Sequence, residues 1–236
     1  MLKTEIIKRS PIRVLEKSIH GGLGAGNLGV FTARKGVGKT ACLVHVATDQ
    51  LLDNKKVLHI SFADDPHHIE SWYKQVFEEV ARSYKLENAH DIFDDIVHQR
   101  LILHFRQNDA GFTDIKNHYQ QVANGMSFKP DMVIVDRFAF DTATPEALQE
   151  WKDFARELDV EIWFSATLHR EDLQLDEQGV PAPVNQVKDI FSVIIMLNPR
   201  EDYIDLQLLK DHENTDPGKL RIKLDPKTML IANHRV

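Results

Sequence analysis

Ala33-Arg34-Lys35-Gly36-Val37-Gly38-Lys39-Thr40 lies between the apolar run Leu28 to Phe31 and a helical pattern opening Ala41-Cys42-Leu43-Val44. Strand, glycine turn with Lys-Thr, then helix is the order a phosphate-binding P-loop requires. In such a turn the backbone N–H groups converge on phosphate oxygens, and the helix N-terminus adds a favourable dipole. The reading assigns residues 33–41, through Ala41, to the nucleotide. Lys39 brings a point charge to the β- and γ-phosphates, and Thr40 a hydroxyl to Mg²⁺. The strict pattern begins with Gly, where this chain has Ala33.

Working outward, 236 residues at 42% hydrophobic and 28% charged fit an α/β domain with a sizeable core. A net charge of −7 argues against a surface built throughout for nucleic acid. A single cysteine, Cys42, excludes an intramolecular disulfide and suits a reducing compartment. No apolar run approaches ~18 residues, so no membrane span is expected and the cytoplasm is the default. Residues 1–18 are expected to form a solvated basic arm, with docking on a neighbouring subunit as the alternative. The domain proper is expected over 19–236.

Strand and helix patterns alternate downstream. Val57 to Phe62, Leu101 to Phe105, Met132 to Val135 and Val160 to Phe164 read as strands. Helices open after Asp64-Asp65-Pro66, across Glu87 to His98, from Thr113, and at Thr144-Pro145-Glu146. Trp72, Trp151 and Trp163 are expected in the core. This alternation predicts right-handed crossovers and a mostly parallel sheet with helices on both faces. After a polar stretch over 169–187, four short strands follow without helices (192–197, 203–209, 220–224 and 229–232). That C-terminal extension is expected to be antiparallel, with Asn198 to Asp202 as a hairpin connection.

Asp136 ends its apolar strand as a Walker B carboxylate would, placed to hold Mg²⁺ opposite Thr40. His67-His68 beside Asp64 and Asp65, or Asp94 with His98, offer metal-type side chains. No second pair stands at zinc spacing, so these histidines are read as surface residues.

From Ile19 to the C-terminus the chain resembles the RecA-like P-loop ATPases, most of all the DnaB-type helicase core and KaiC-type proteins. Gly21-Gly22-Leu23 with Gly26, the P-loop, Ile60 to Ala63, Val133 to Asp136, Phe164 to Arg170 and Leu208 to His212 carry the likeness. The resemblance implies ATP and Mg²⁺ as ligands and a homo-oligomeric ring or filament. It also implies catalytic roles at positions where this chain departs from the pattern. A water-positioning Glu is matched by Ala63, which cannot accept a proton; Asp64 is the nearest substitute. A sensor Gln is matched by Thr167. A late Lys-x-Arg, which reaches a neighbour's nucleotide in ring-forming relatives, is matched by Lys210 and His212. Imidazole lacks the guanidinium fork and its fixed charge.

The resemblance therefore separates holding ATP from cleaving it. The expected function is Mg·ATP binding in a nucleotide-gated regulatory or remodelling role, with weak or atypical hydrolysis. The alternative is an active ATPase on DNA, for which Arg137, Phe138, Phe140 and Lys188 are the supporting residues. The acidic cluster Glu171, Asp172, Asp176 and Glu177 opposes it. A MinD- or ParA-like deviant P-loop, with Arg34 at the signature lysine position, is the lesser rival.

Overall fold

The computed structural model describes residues 3–63, 65, 67–106, 110–168, 174–215 and 217–233, with the side chains of residues 3 and 4 excepted. Asp64, Pro66, His169, Arg170, Glu171 and Asp172 thus lie outside the described residues.

Nine strands form one sheet in the order β3-β2-β4-β5-β1-β6-β7-β8-β9. The first six in that order run parallel: β3 (Arg100–His104), β2 (Val57–Ser61), β4 (Met132–Asp136), β5 (Glu161–Leu168), β1 (Leu28–Arg34) and β6 (Val193–Pro199). Their near-continuous apolar runs fit strands covered on both faces. Then β7 (Ile204–Asp211), β8 (Ile222–Leu224) and β9 (Ile231–Asn233) add on antiparallel. The antiparallel extension thus starts one strand later than expected. Residues 174–192 return the chain to the starting edge of β1, and Gly29 pairs with Val193 in parallel register. Asn198 to Asp202 is the expected hairpin, joining β6 to β7.

Helices cover both faces. On one face, α3 (Lys39–Leu52) and α4 (His67–Tyr84) bury Leu43, Val46, Leu51, Ile69, Tyr73 and Val76. On the other, α6 (Phe112–Met126) and α7 (Pro145–Leu158) close over an aromatic cluster of Trp151, Phe154, Phe164 and Phe191. Asp65 caps α4, its Oδ1 accepting from the His67 amide at 2.9 Å. Gly29 is required in β1, because a Cβ there would stand 2.7 Å from Trp163, which is stacked on Phe31 at 5.0 Å. The shorter α5 (Ala89–Val97) leads into β3.

The amino-terminal segment is not a solvated arm. It folds into α1 (Lys3–Arg9) and α2 (Pro11–Ser18), and Ile6, Ile12, Leu15 and Ile19 are buried in the core shared with α3. Ser10 caps α2 by accepting from the Ile12 amide at 3.2 Å. The charges are also used internally: Arg13 pairs with the buried Asp49 of α3 and, at 2.7 Å, with Glu16. Desolvation pushes the Asp49 carboxyl up, while Ser10 and Arg13 pull it back. The positive charges of the segment hid an apolar stripe on one face of α2, with Ile12, Leu15 and Ile19 at helical spacing.

Candidate nucleotide site

The phosphate turn sits where the chain order in the sheet breaks. β1 is followed by β2, yet β5 and β4 lie between them. In open α/β sheets this switch point, at the carboxyl ends of the strands, leaves a crevice for ligands. Here it is a cleft of about 620 Å³ bordered by Lys35, Gly36, Gly38, Lys39, Thr40 and Asp136.

Two glycines make the turn. Gly36 has φ +83° and Gly38, at the N-cap of α3, has φ +115°, conformations that side chains with a Cβ avoid. At Gly38 space matters too, since a Cβ would lie 2.4 Å from Leu224 Cδ2 of β8. The C-terminal strands thus cover the phosphate turn, and Met229 reaches the cleft itself. Val37 turns toward the core, and Ala33 and Ala41 are fully buried.

Lys39 folds back over the strand end. Its ammonium donates to the Ala33 carbonyl at 2.9 Å and the Arg34 carbonyl at 3.1 Å. Burial lowers its pKa from 10.5 to about 8, with the Asp136 carboxylate working against that fall. Thr40 Oγ1 donates toward Asp136, 3.0 Å from Oδ2 and 3.2 Å from Oδ1. Ser165 Oγ donates to Asp136 Oδ1 at 2.6 Å, and itself accepts from the Arg137 amide at 2.8 Å. A hydroxyl and a buried carboxylate facing each other form an oxygen-only donor set, which suits Mg²⁺. The glycine turn and a displaceable ammonium suit a phosphate chain. Both groups therefore fit the residues present.

Ser165 is the residue the sequence reading did not single out. It shares a strand face with Thr167 two positions on, and both border the cleft. A pair of alternate polar residues at the end of an apolar strand was the available signal. His68 and Trp72 also border the cleft, one helical turn apart on α4. The Trp72 indole donates to His68 Nε2 at 3.1 Å, and the Arg137 guanidinium lies 3.4 Å from the same nitrogen. The core expectation for Trp72 is corrected. Tyr73 takes the buried position beside it, while Trp72 stays half-exposed.

The remaining candidate groups divide. Thr167 is in the cleft, paired in register with Ala33. Ala63, immediately after β2, is buried, with its amide donating to Ser61 Oγ at 3.2 Å and its carbonyl facing His104 Nε2. Lys210 and His212 are at the opposite end of the sheet. Lys210 pairs with Ile194 near the start of β6 and donates to the Lys188 carbonyl at 3.0 Å. The DNA-facing residues are otherwise engaged. Phe140 is buried, Phe138 packs edge-on against Trp151 and Phe164, and Lys188 is paired with Asp176 at 2.5 Å.

The turn, the carboxylate opposite it and the parallel sheet define a RecA-like P-loop ATPase domain. Its fold is similar to the solved ATPase domain of a DnaB-like helicase, with a TM-score of 0.64. That alignment covers 93% of this chain and 88% of the other at 15% identity. Residues 3–165 match the family AAA_25, described as an AAA domain, and the chain belongs to that family. No curated protein sequence matches it. These findings place the chain on the RecA-like, DnaB-related side rather than with MinD and ParA. Among the described residues no helix is long and apolar enough to cross a membrane.

Proposed function

We propose that this domain binds Mg·ATP and uses it chiefly to set a conformation, with slow or atypical hydrolysis. In this reading residues 33–41 hold the phosphates, and Thr40 with Asp136 holds the Mg²⁺, which supplies charge neutralisation between the phosphates when bound. The observation that carries it is Ala63. The strand end that should offer a proton acceptor presents a buried methyl group, with its backbone amide tied to Ser61. Asp136 is already the acceptor for Thr40 and Ser165. Thr167 is positioned to orient a water but not to take its proton. Asp64 keeps its candidate role as a water-positioning group.

The reading includes self-association into a ring or filament, by analogy with the fold, where Lys210 and His212 would face a neighbour's nucleotide. It disfavours translocation on DNA. The aromatic residues after β4 belong to the core rather than to a stacking platform, and Lys188 is neutralised.

The test is ATP binding and turnover measured together, on a sample of known mass in solution, with and without single-stranded DNA. Saturable binding, weakened by Lys39→Ala by roughly 10-fold or more, with turnover near background and unmoved by DNA, is the expected result. Turnover that rises with DNA or self-assembly would establish a motor instead. An affinity no greater than that of the Lys39→Ala variant would remove both ideas.

A further inference from the structure

At the end of the sheet away from the cleft, three metal-type side chains converge. Asp211, the last residue of β7, is 2% exposed, and each of its carboxylate oxygens faces a different imidazole. Oδ2 lies 2.5 Å from His20 Nδ1, and Oδ1 lies 2.8 Å from His212 Nδ1. One ligand atom from each of the three residues falls within 4.8 Å of the other two.

The other nitrogen of His212 decides how the group is to be read. Nε2 is 3.2 Å from the Leu23 carbonyl, which can only accept, so Nε2 carries the hydrogen and donates. A neutral ring would then direct its Nδ1 lone pair at an anionic oxygen 2.8 Å away, which is repulsive. Something positive belongs between them, a second proton or a cation. Histidines that ligate metals characteristically donate their second N–H to a backbone carbonyl, which fixes tautomer and ring orientation. The His212–Leu23 contact has that form.

We propose that His20, Asp211 and His212 bind one divalent transition-metal ion of the Zn²⁺ type through two Nδ1 atoms and one carboxylate oxygen. The remaining coordination positions would be open to water. Metal–ligand distances of about 2.0–2.2 Å bring ligand nitrogen and oxygen atoms to roughly 3 Å of each other. The present contacts of 2.5 and 2.8 Å need only a few tenths of an ångström of opening. Two ligands sit on a fixed corner. The Asp211 amide donates to the Asn214 carbonyl at 2.9 Å, and the His212 amide donates to the Ser192 carbonyl. The third can adjust, since the His20 side chain is 73% exposed and is followed by Gly21 and Gly22, around which there is open space. Binding would displace ring protons and lash the end of α2 to the end of β7. The other histidine–carboxylate pairs, His67 with Glu70 and His90 with Asp94, are exposed and offer two groups rather than three. His212 stands where the family resemblance has an arginine, so the substitution that removes a guanidinium supplies a ligand.

The experiment is titration of the full chain, without nucleotide, with Zn²⁺ by calorimetry and with Co²⁺ by its visible d–d absorption. One equivalent per chain is expected, weakened at least ~10-fold by His20→Ala and by His212→Gln and unchanged by His90→Ala. Zn²⁺ should raise the melting temperature of the wild type and not that of His20→Ala. His20 is exposed, so its replacement leaves the fold intact, and circular dichroism verifies that. Metal uptake that survives His20→Ala, uptake lost equally in His90→Ala, or no uptake at all would overturn the assignment and leave a protonated ion-pair cluster. No readout involves ATP, so this proposal stands or falls apart from the nucleotide reading.

Discussion

Raising the pH from 7.5 to 9.5 should weaken ATP binding about 25-fold through Lys39 alone, given its pKa of about 8 in the nucleotide-free protein. Lys39 is 7% exposed and its ammonium rests on two backbone carbonyls. Phosphate oxygens favour its charged form, so the bound state holds the proton to higher pH while the empty state releases it. The charged fraction of the empty site falls from about 0.76 at pH 7.5 to about 0.03 at pH 9.5, a difference of roughly 1.9 kcal/mol in binding. A phosphate's own second ionisation, near pH ~6, is complete below this window. Fluorescence anisotropy of a labelled ATP analogue at saturating Mg²⁺ gives the affinity. Calorimetry in buffers of different ionisation enthalpy should show uptake of about half a proton at pH ~8. Lys39→Arg stays charged throughout and should bind with little pH dependence. For folding the sign is separate: the folded pKa lies below the ordinary 10.5, so the unfolded chain binds more protons between the two values. The penalty of the buried charge is therefore fully present below about pH 8, and wild-type stability relative to Lys39→Arg rises above it. A wild-type affinity flat across the window, or an arginine variant that falls equally, would refute the reasoning.

Other residues give independent tests. Asp136→Asn should erase the Mg²⁺ dependence of ATP affinity, closing a gap of roughly 10-fold between Mg²⁺ and chelator seen in the wild type. Ala63→Glu should raise ATP turnover by about 10² or more, the usual worth of a positioned general base, with affinity little changed; an unchanged rate in a folded variant would show that hydrolysis is limited elsewhere. Leu15→Ala should lower stability by about 2–4 kcal/mol in urea unfolding, because the side chain is buried against α3. A solvated arm would show no change. Gly38→Ala should weaken ATP binding and lower the melting temperature, and adding Leu224→Ala should recover part of the stability but not the backbone strain.

The sheet was readable because its signals are local. Apolar runs such as Val57 to Ile60 and Val133 to Val135 fit no environment but a covered parallel strand, and the Gly-Lys-Thr turn needs strand and helix immediately around it. The pairing of β6 was not readable. Parallel attachment to β1 depends on a crossover through irregular chain, whereas the hairpin after it announces itself through Asn198 and Pro199. The amino-terminal helices were hidden by composition, since Arg13 looks like a solvent charge until Asp49 is seen buried beside it. At the site the sequence placed Lys39, Thr40 and Asp136 in one cleft correctly. It missed Ser165 because a lone serine on a strand carries no motif, and it misread Phe138 and Phe140. Aromatic residues after a Walker B strand serve a core and a stacking surface equally well until the packing is known.

A nucleotide that sets a conformation must touch something able to pass the change on, and the covering of Gly38 supplies it. Leu224 of β8 and Met229 close against the phosphate turn, and Ile231 of β9 donates its amide to His45 of α3 at 2.9 Å. Burial holds that imidazole neutral, with its pKa lowered to about 4, so this link between α3 and the last strand keeps an acceptor at all working pH values. α2 packs in turn on β8 and β9. Phosphate turn, C-terminal strands and amino-terminal helices therefore form one contiguous packed path, rigid enough to transmit a displacement of the turn. Phosphates entering the turn would move Gly38 against β8 before they met any group able to activate water. The order of contacts in this fold favours sensing ATP over splitting it.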